Sequence, residues 1–225
     1  MARQPYWPRY QDDKVWELGI DSVRQRPALL NLIGECATMW PFVELDIALL
    51  LGMLLGSRSD AALAMFGTMR QMRLQRDAIR AAADVTLEKK DQDLIEACLA
   101  VANTASSARD DLVHGMWGVS QKLPDALLWI EIKHVAPWNT EALLKETNPD
   151  RPTHDDLARH FFVYTRQDLE EVRNQIATAR HVIFTLVAYI RWRPGHPYTR
   201  AGLYDQLLGE PLVHQAIDRI QAAKK

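Results

Sequence analysis

The amino-acid sequence predicts a mainly α fold: a four-helix bundle, with a small β-strand insertion between the third and fourth long helices and a C-terminal helical tail. Three observations predict it. Apolar residues recur at three- and four-residue steps through long stretches, the mark of helices that bury one face. Short polar or glycine-containing turns separate those stretches, which favours antiparallel neighbours. Two runs, Ala126–Lys133 and His160–Tyr164, instead carry β-branched and aromatic residues at strand length. At 225 residues, 48% of them hydrophobic, the chain is long enough to bury a substantial core.

Residues 1–27 read as an extended N-terminal arm anchored by Tyr6, Trp7, Tyr10 and Trp16. The bundle is expected over residues 28–192, with the β insertion at about 124–164. Its first helix runs from about Ala28 to Leu55, with Trp40, Val43, Ile47, Leu50 and Leu54 on the buried face and Pro41 kinking it or starting its second half. Gly56-Ser57-Arg58-Ser59 is a turn, and the second helix follows to about Ala83. The third is expected from Asp91 to about Trp117. Residues 134–159 contain Pro137, Pro149 and Pro152 and leave room for short helices at most. Thr165 caps the fourth helix, with Asp168 three residues on closing a capping box, and the helix extends to about Trp192. Pro194-Gly195-His196-Pro197 stops it. The tail, residues 193–225, holds one short helix and one amphipathic helix built on Leu212, Val213, Ala216, Ile217 and Ile220.

The formal charge of −2 excludes a generally basic protein that coats nucleic acid, while leaving room for a local basic groove. Cys36 and Cys98 fit no zinc spacing and no disulfide framework, and their apolar helical settings predict two small buried hydrophobes. The first residues lack the apolar core of a secretory signal, and the longest apolar run, Ile47–Gly56, is short for a bilayer. These features predict a cytoplasmic protein with no membrane partner. No phosphate-binding glycine loop or nucleophile elbow occurs, and the histidines are scattered without metal-ligand spacing, so no cofactor and no metal are expected. Asp155 and Asp156 beside His154 read more simply as a helix start after Thr153 than as a metal site.

The segment ARDDLVHGMWG carries the most chemistry. Arginine, four residues, then histidine occurs twice, at Arg109/His114 and Arg191/His196. The second match falls in RWRPGHP, where prolines end the helix, and is set aside. The first is helical, with Asp110 directly after the arginine. At 100° per residue Arg109 joins the apolar row of Ile95 and Ala102, while Asp110 and His114 share a polar ridge with Asn103 and Ser107. Asp110 and His114, four apart, lie within reach of one another, and an aspartate that fixes the tautomer of a histidine suits it to acid–base work.

This segment resembles the signature of the HEPN superfamily, whose members are helical bundles and in many cases metal-independent ribonucleases that act as dimers. The resemblance implies that Arg109 holds the phosphate, His114 serves as base or acid and Asp110 orients or assists. It also implies a homodimer, an RNA substrate, a toxin or defence role, and a cognate antitoxin or other protein partner. The small residues Ala102, Ala105, Ser106 and Ala108 would let a partner helix approach. The same residues admit a non-catalytic reading, a helical dimer that binds a protein or nucleic acid. Arg109 then pairs with a buried carboxylate, Glu44 on the first helix being the candidate, and His114 sits at a helix end where the dipole favours its charge. On the second helix Arg70, Arg73, Arg76 and Arg80 share about a third of the circumference, a stripe that suits an RNA backbone or a solvated face balanced by acids.

Overall fold

A computed structural model of the chain describes residues 4–10, 15–56, 59–69, 71–147 and 157–224. It is mainly α, with one small antiparallel sheet. Two compact units emerge, each drawn from two stretches of chain: unit 1 from residues 1–37 and 108–173, unit 2 from 38–107 and 174–225.

Unit 1 is built on the sheet. Its strands are β1 (Gln4–Pro5), β2 (Trp16–Leu18), β3 (Gly115–Ser120), β4 (Ala126–Glu131) and β5 (Phe162–Thr165), in the spatial order β1-β5-β4-β3-β2 and all antiparallel. The expected pairing of two strands is therefore present as β4 with β5, in the register Leu128 opposite Val163. Three further strands were not foreseen. The N-terminal arm supplies both edges, and its Tyr6 is fully buried. Alternation along β4 gives the sheet two covered faces. Ala126, Leu128 and Ile130 join Tyr6, Val135, Leu157 and Phe161 in one cluster, while Trp129 packs with Phe162 and Tyr164 on the other side.

The third helix also ends earlier than its pattern suggests. It is α5 (Lys89–His114), and Trp117 lies on β3. Two glycines explain the switch. A Cβ on Gly115 would sit 2.0 Å from the indole nitrogen of Trp129, and one on Gly118 would sit 2.3 Å from the Glu17 carbonyl oxygen. Only a bare backbone lets β3 lie between β2 and β4 at these points. Between β4 and β5 the proline argument fails, because α6 (Ile132–Thr147) is a full helix with Pro137 inside it. The run Glu141-Ala-Leu-Leu-Lys-Glu favours helix, and burial of Val135 anchors the first turn. A 3₁₀ turn at Leu157–His160 precedes β5, and the short α1 (Ile20–Val23) follows β2.

Unit 2 is helical. The first long helix, α2 (Pro27–Leu55), passes through Pro41 without ending, and Trp40, Val43, Ile47, Leu50 and Leu54 are all buried as expected. Among the described residues α2 is the one helix long and apolar enough to cross a membrane, although the run Ile47–Gly56 alone is not. Its buried row is that of a core helix, and its opposite side leaves Phe42, Leu45, Leu49 and Met53 exposed. The expected second helix is two: α3 (Ser59–Phe66) and α4 (Met72–Thr86), parted at Gly67-Thr68-Met69. There the Thr68 hydroxyl donates to the Met65 carbonyl at 2.6 Å, and the Gln75 amide donates to the Met69 carbonyl at 2.9 Å. Local hydrogen bonds of this kind compete with helix continuation.

The fourth long helix, α7 (Arg166–Ile190), starts at the expected capping box. The Thr165 N–H and hydroxyl donate to the Asp168 carboxylate at 2.8 and 2.7 Å. The tail forms α8 (Arg200–Gly209) and α9 (Pro211–Ala222) as predicted, and buries Leu203, Leu207, Val213 and Ala216. Cys36 and Cys98 are free and buried, with burial pushing the Cys36 thiol up to about 11.

Candidate functional site

α5 changes unit between Ser107 and Ala108, so the Arg109–Asp110–His114 segment belongs to unit 1 and forms the last turn of the helix. The Arg109 guanidinium is about three-quarters buried, as an arginine on an apolar row should be, and it donates to the Asp110 carboxylate at 3.0 Å. Its Nε is buried with no hydrogen-bond partner among the described residues. His114 is exposed. Among the described residues no hydrogen bond or ion pair joins it to Asp110, whose carboxylate turns to the arginine instead. Trp117 completes the helix end, its indole N–H donating to the Leu112 carbonyl at 2.9 Å and its ring packing edge-on to Tyr164. That bond satisfies one of the carbonyls left over where a helix stops.

Glu44 lies in unit 2 and accepts from the Trp40 indole one turn earlier, at 2.7 Å. The small residues Ala102, Ala105 and Ser106 are buried within the chain, which corrects the expectation that they receive a partner helix.

The arginine stripe lies on α4, apart from Arg70, which is outside the described residues. Arg73 is well exposed and stands 4.0 Å from Asp77. Arg80 is held by both oxygens of Glu96 and by Asp77, and the Glu96 hydrogen bonds raise its pKa further. Arg76 is half-buried, with no hydrogen-bond partner for its Nε among the described residues. The aspartates beside His154 lie outside the described residues. Among the described residues no cluster of three His, Cys, Asp or Glu side chains is placed to hold a metal.

Three arrangements escaped the sequence. His134 and His160 stack face to face in unit 1, ring centres 3.9 Å apart, though 26 residues separate them. In unit 2 the buried Asp91 accepts from the Tyr189 hydroxyl and from Arg200, each at 2.7 Å, and Arg200 lies over the Tyr189 ring. Burial, then the Asp91 hydrogen bond, pushes the Tyr189 hydroxyl up to about 12. Arg191 and His196, the arginine–histidine pair set aside on sequence grounds, line one cleft together with Asp46 and His181. α7 ends at Ile190, and the turn through Pro194 and Gly195 leaves Arg191 and His196 lining the same cleft without a helix between them. Compared with known proteins, the chain matches no family model, no curated protein and no solved structure.

Proposed function

We propose that the chain is a HEPN-like four-helix bundle that cleaves RNA without a metal ion, as a homodimer. The observation that carries this reading is an exposed imidazole, His114, one helical turn beyond the Arg109–Asp110 pair, whose arginine is mostly buried and whose carboxylate is half exposed. Arg109 contributes the planar donor fork that suits two phosphate oxygens. In cleavage one imidazole takes the proton from the ribose 2′-OH, the 2′-oxygen attacks the adjacent phosphorus, and a second imidazole protonates the departing 5′-oxygen. One protomer offers one such histidine, so two copies complete the reaction. The exposed row Phe42, Leu45, Leu49 and Met53 on α2 supports association with a second copy, since an apolar row of this kind on a surface helix is a contact surface. Arg73 and Arg76 extend the basic surface available to an RNA backbone. A toxin or defence role with a cognate antitoxin belongs to the same reading.

The test is incubation of purified protein with mixed RNA in EDTA, beside His114→Ala. Cleavage by the wild type should fall by about 10²–10⁴-fold in the variant, the range for removal of a general acid or base. Undiminished cleavage by His114→Ala, or none by the wild type, removes the ribonuclease.

A second reading, a non-catalytic helical dimer that binds a partner protein or nucleic acid, is favoured by one observation. Arg109 closes onto its own neighbour and Trp117 onto Leu112, two ways of finishing a helix end. It expects Arg109→Ala to lower the melting temperature while His114→Ala leaves RNA binding intact.

A further inference from the structure

A cleft of about 390 Å³ in unit 2 is walled by α2, by α7 and by the chain that runs from His196 into α8. Its volume is that of a small-molecule site. Asp46 faces it from α2. This carboxylate is 7% exposed, yet no hydrogen bond or ion pair reaches it among the described residues. A carboxylate this buried and without donors is poorly solvated, so a donor supplied from outside would be held firmly. The nearest cation to act on it is Arg180, but that guanidinium lies over the Phe42 ring, 4.6 Å from its centre. Burial accordingly holds the Asp46 carboxyl above the ordinary range, against the pull of Arg180.

The other end of the cleft has the opposite sign. Arg191 makes no ion pair among the described residues. His196 turns Nδ1 to the Tyr198 backbone, 3.2 Å from its N–H and 3.3 Å from its carbonyl oxygen, and no hydrogen bond among the described residues reaches Nε2. The rest of the lining mixes apolar Leu49, Phe184, Ala188 and Leu203 with polar His181, Thr185 and Gln206, and the Gln206 amide is already engaged with the His181 ring at 3.1 Å. The cleft is elongated: α7 lines it from His181 to Ala188, and Arg191 follows just past the helix end, ten residues beyond His181, about 15 Å at the helical rise.

We propose that this cleft binds an elongated small zwitterion, its ammonium on Asp46, its carboxylate on Arg191 and His196, and its apolar chain along Leu49, Phe184 and Leu203. A simple amine would leave Arg191 unpaired beside its own charge, and a simple acid would meet Asp46. An α-amino acid carries both charges on one carbon and spans only one end. The assignment does not rest on the ribonuclease reading, whose catalytic residues Arg109, Asp110 and His114 lie in unit 1; Leu49 alone is shared with the α2 row assigned there to association.

Isothermal titration with 8-aminooctanoate, octylamine and octanoate tests it. Wild-type protein should bind 8-aminooctanoate at least about tenfold more tightly than either singly charged probe, and Asp46→Asn and Arg191→Gln should each remove about tenfold of that affinity, the worth of one charged hydrogen-bonded contact. Octanoate should bind Asp46→Asn no more weakly than wild type. Ala188→Trp, at a half-buried wall position, fills the cleft without touching either charge and should abolish binding, with circular dichroism reporting the fold of each variant. Equal affinity for the three probes, a preference that survives Asp46→Asn, or binding retained in a folded Ala188→Trp overturns the proposal.

Discussion

Gly118 in unit 1 lies where a side chain would strike the Glu17 carbonyl, and Gly115 lies under the Trp129 ring; the tightest places in that unit are backbone against backbone or ring. Unit 2 is tight in another way. Its helices meet through apolar side chains, and its fixed points are polar nodes such as Asp91–Tyr189–Arg200 and the pairing of Arg80 with Glu96. The difference follows from how strands and helices approach. A strand is fixed by its ladder on both sides, so where a ring or a neighbouring carbonyl lies over its face, as at Gly115 and Gly118, the backbone cannot shift to admit a methyl. Helix axes lie 8–10 Å apart, and the side chains between them can repack. Unit 1 should therefore fail on addition of atoms, and unit 2 on loss of a polar partner.

The largest effect is expected from Gly118→Ala. The new Cβ meets backbone at 2.3 Å, which no rotamer change relieves. Separation of β2 from β3 should cost roughly 3 kcal/mol or more, at the upper end of overpacking effects. Hydrogen exchange should show protection lost across β2 and β3. Equal stability in the variant would mean that the β2 edge contributes nothing to unit 1. A smaller loss is expected in unit 2 from Asp91→Ala, which leaves Tyr189 and Arg200 without their shared acceptor. Arg200 is half exposed and can turn to water, so the cost should be about 2 kcal/mol, largely the buried Tyr189 hydroxyl. Tyr189→Phe removes the donor alone and should cost about 1 kcal/mol in urea unfolding. If Tyr189→Phe proved worse than Asp91→Ala, the Tyr189 hydroxyl would be held by something other than Asp91, and the node would not be the fixed point.

How much of this was legible depended on the range of the interaction. The buried row of α2, the Thr165–Asp168 capping box, and the α8–α9 tail are local patterns, and each can be read from neighbours three or four residues apart. The sheet is not local. Gly115 and Gly118 look like breaks in a helical row until Trp129 and Glu17 are known to lie against them, and the arm gives no sign that Gln4–Pro5 and Trp16–Leu18 are edges. Pro137 misled in the other direction, because a single residue was weighed above the helix-favouring run that follows it. At the candidate site, the burial of Arg109 was readable from its helical row. Its partner was not: a neighbour at one residue's distance points elsewhere on an ideal helix, and only the flexible arginine stem lets it turn back to Asp110. The Asp46 cleft needs three segments at once and leaves no mark on any of them singly.

The smallest expected effect is on pH dependence, and it bears on unit 1 alone. His134 is stacked on His160, and burial first, then the His160 ring and Lys133, lower its pKa below the ordinary 6.5, with Glu131 opposing. The folded protein thus holds this imidazole neutral where the unfolded chain would already be protonated. Between the two pKa values the unfolded state binds more protons, so stability must fall as pH falls below about 6.5. The His160 ring, 3.9 Å away, opposes a charge on His134 in the same sense as burial does. The stability of unit 1, followed by hydrogen exchange in β3 and β4 at low urea, should be lower at pH 5.5 than at pH 7.5 by an amount that His134→Gln reduces. Unit 2, followed by hydrogen exchange in α4 and α8, should keep its pH response in that variant. A response of unit 1 unchanged by His134→Gln would place its acid sensitivity in the carboxylates rather than in the stacked pair.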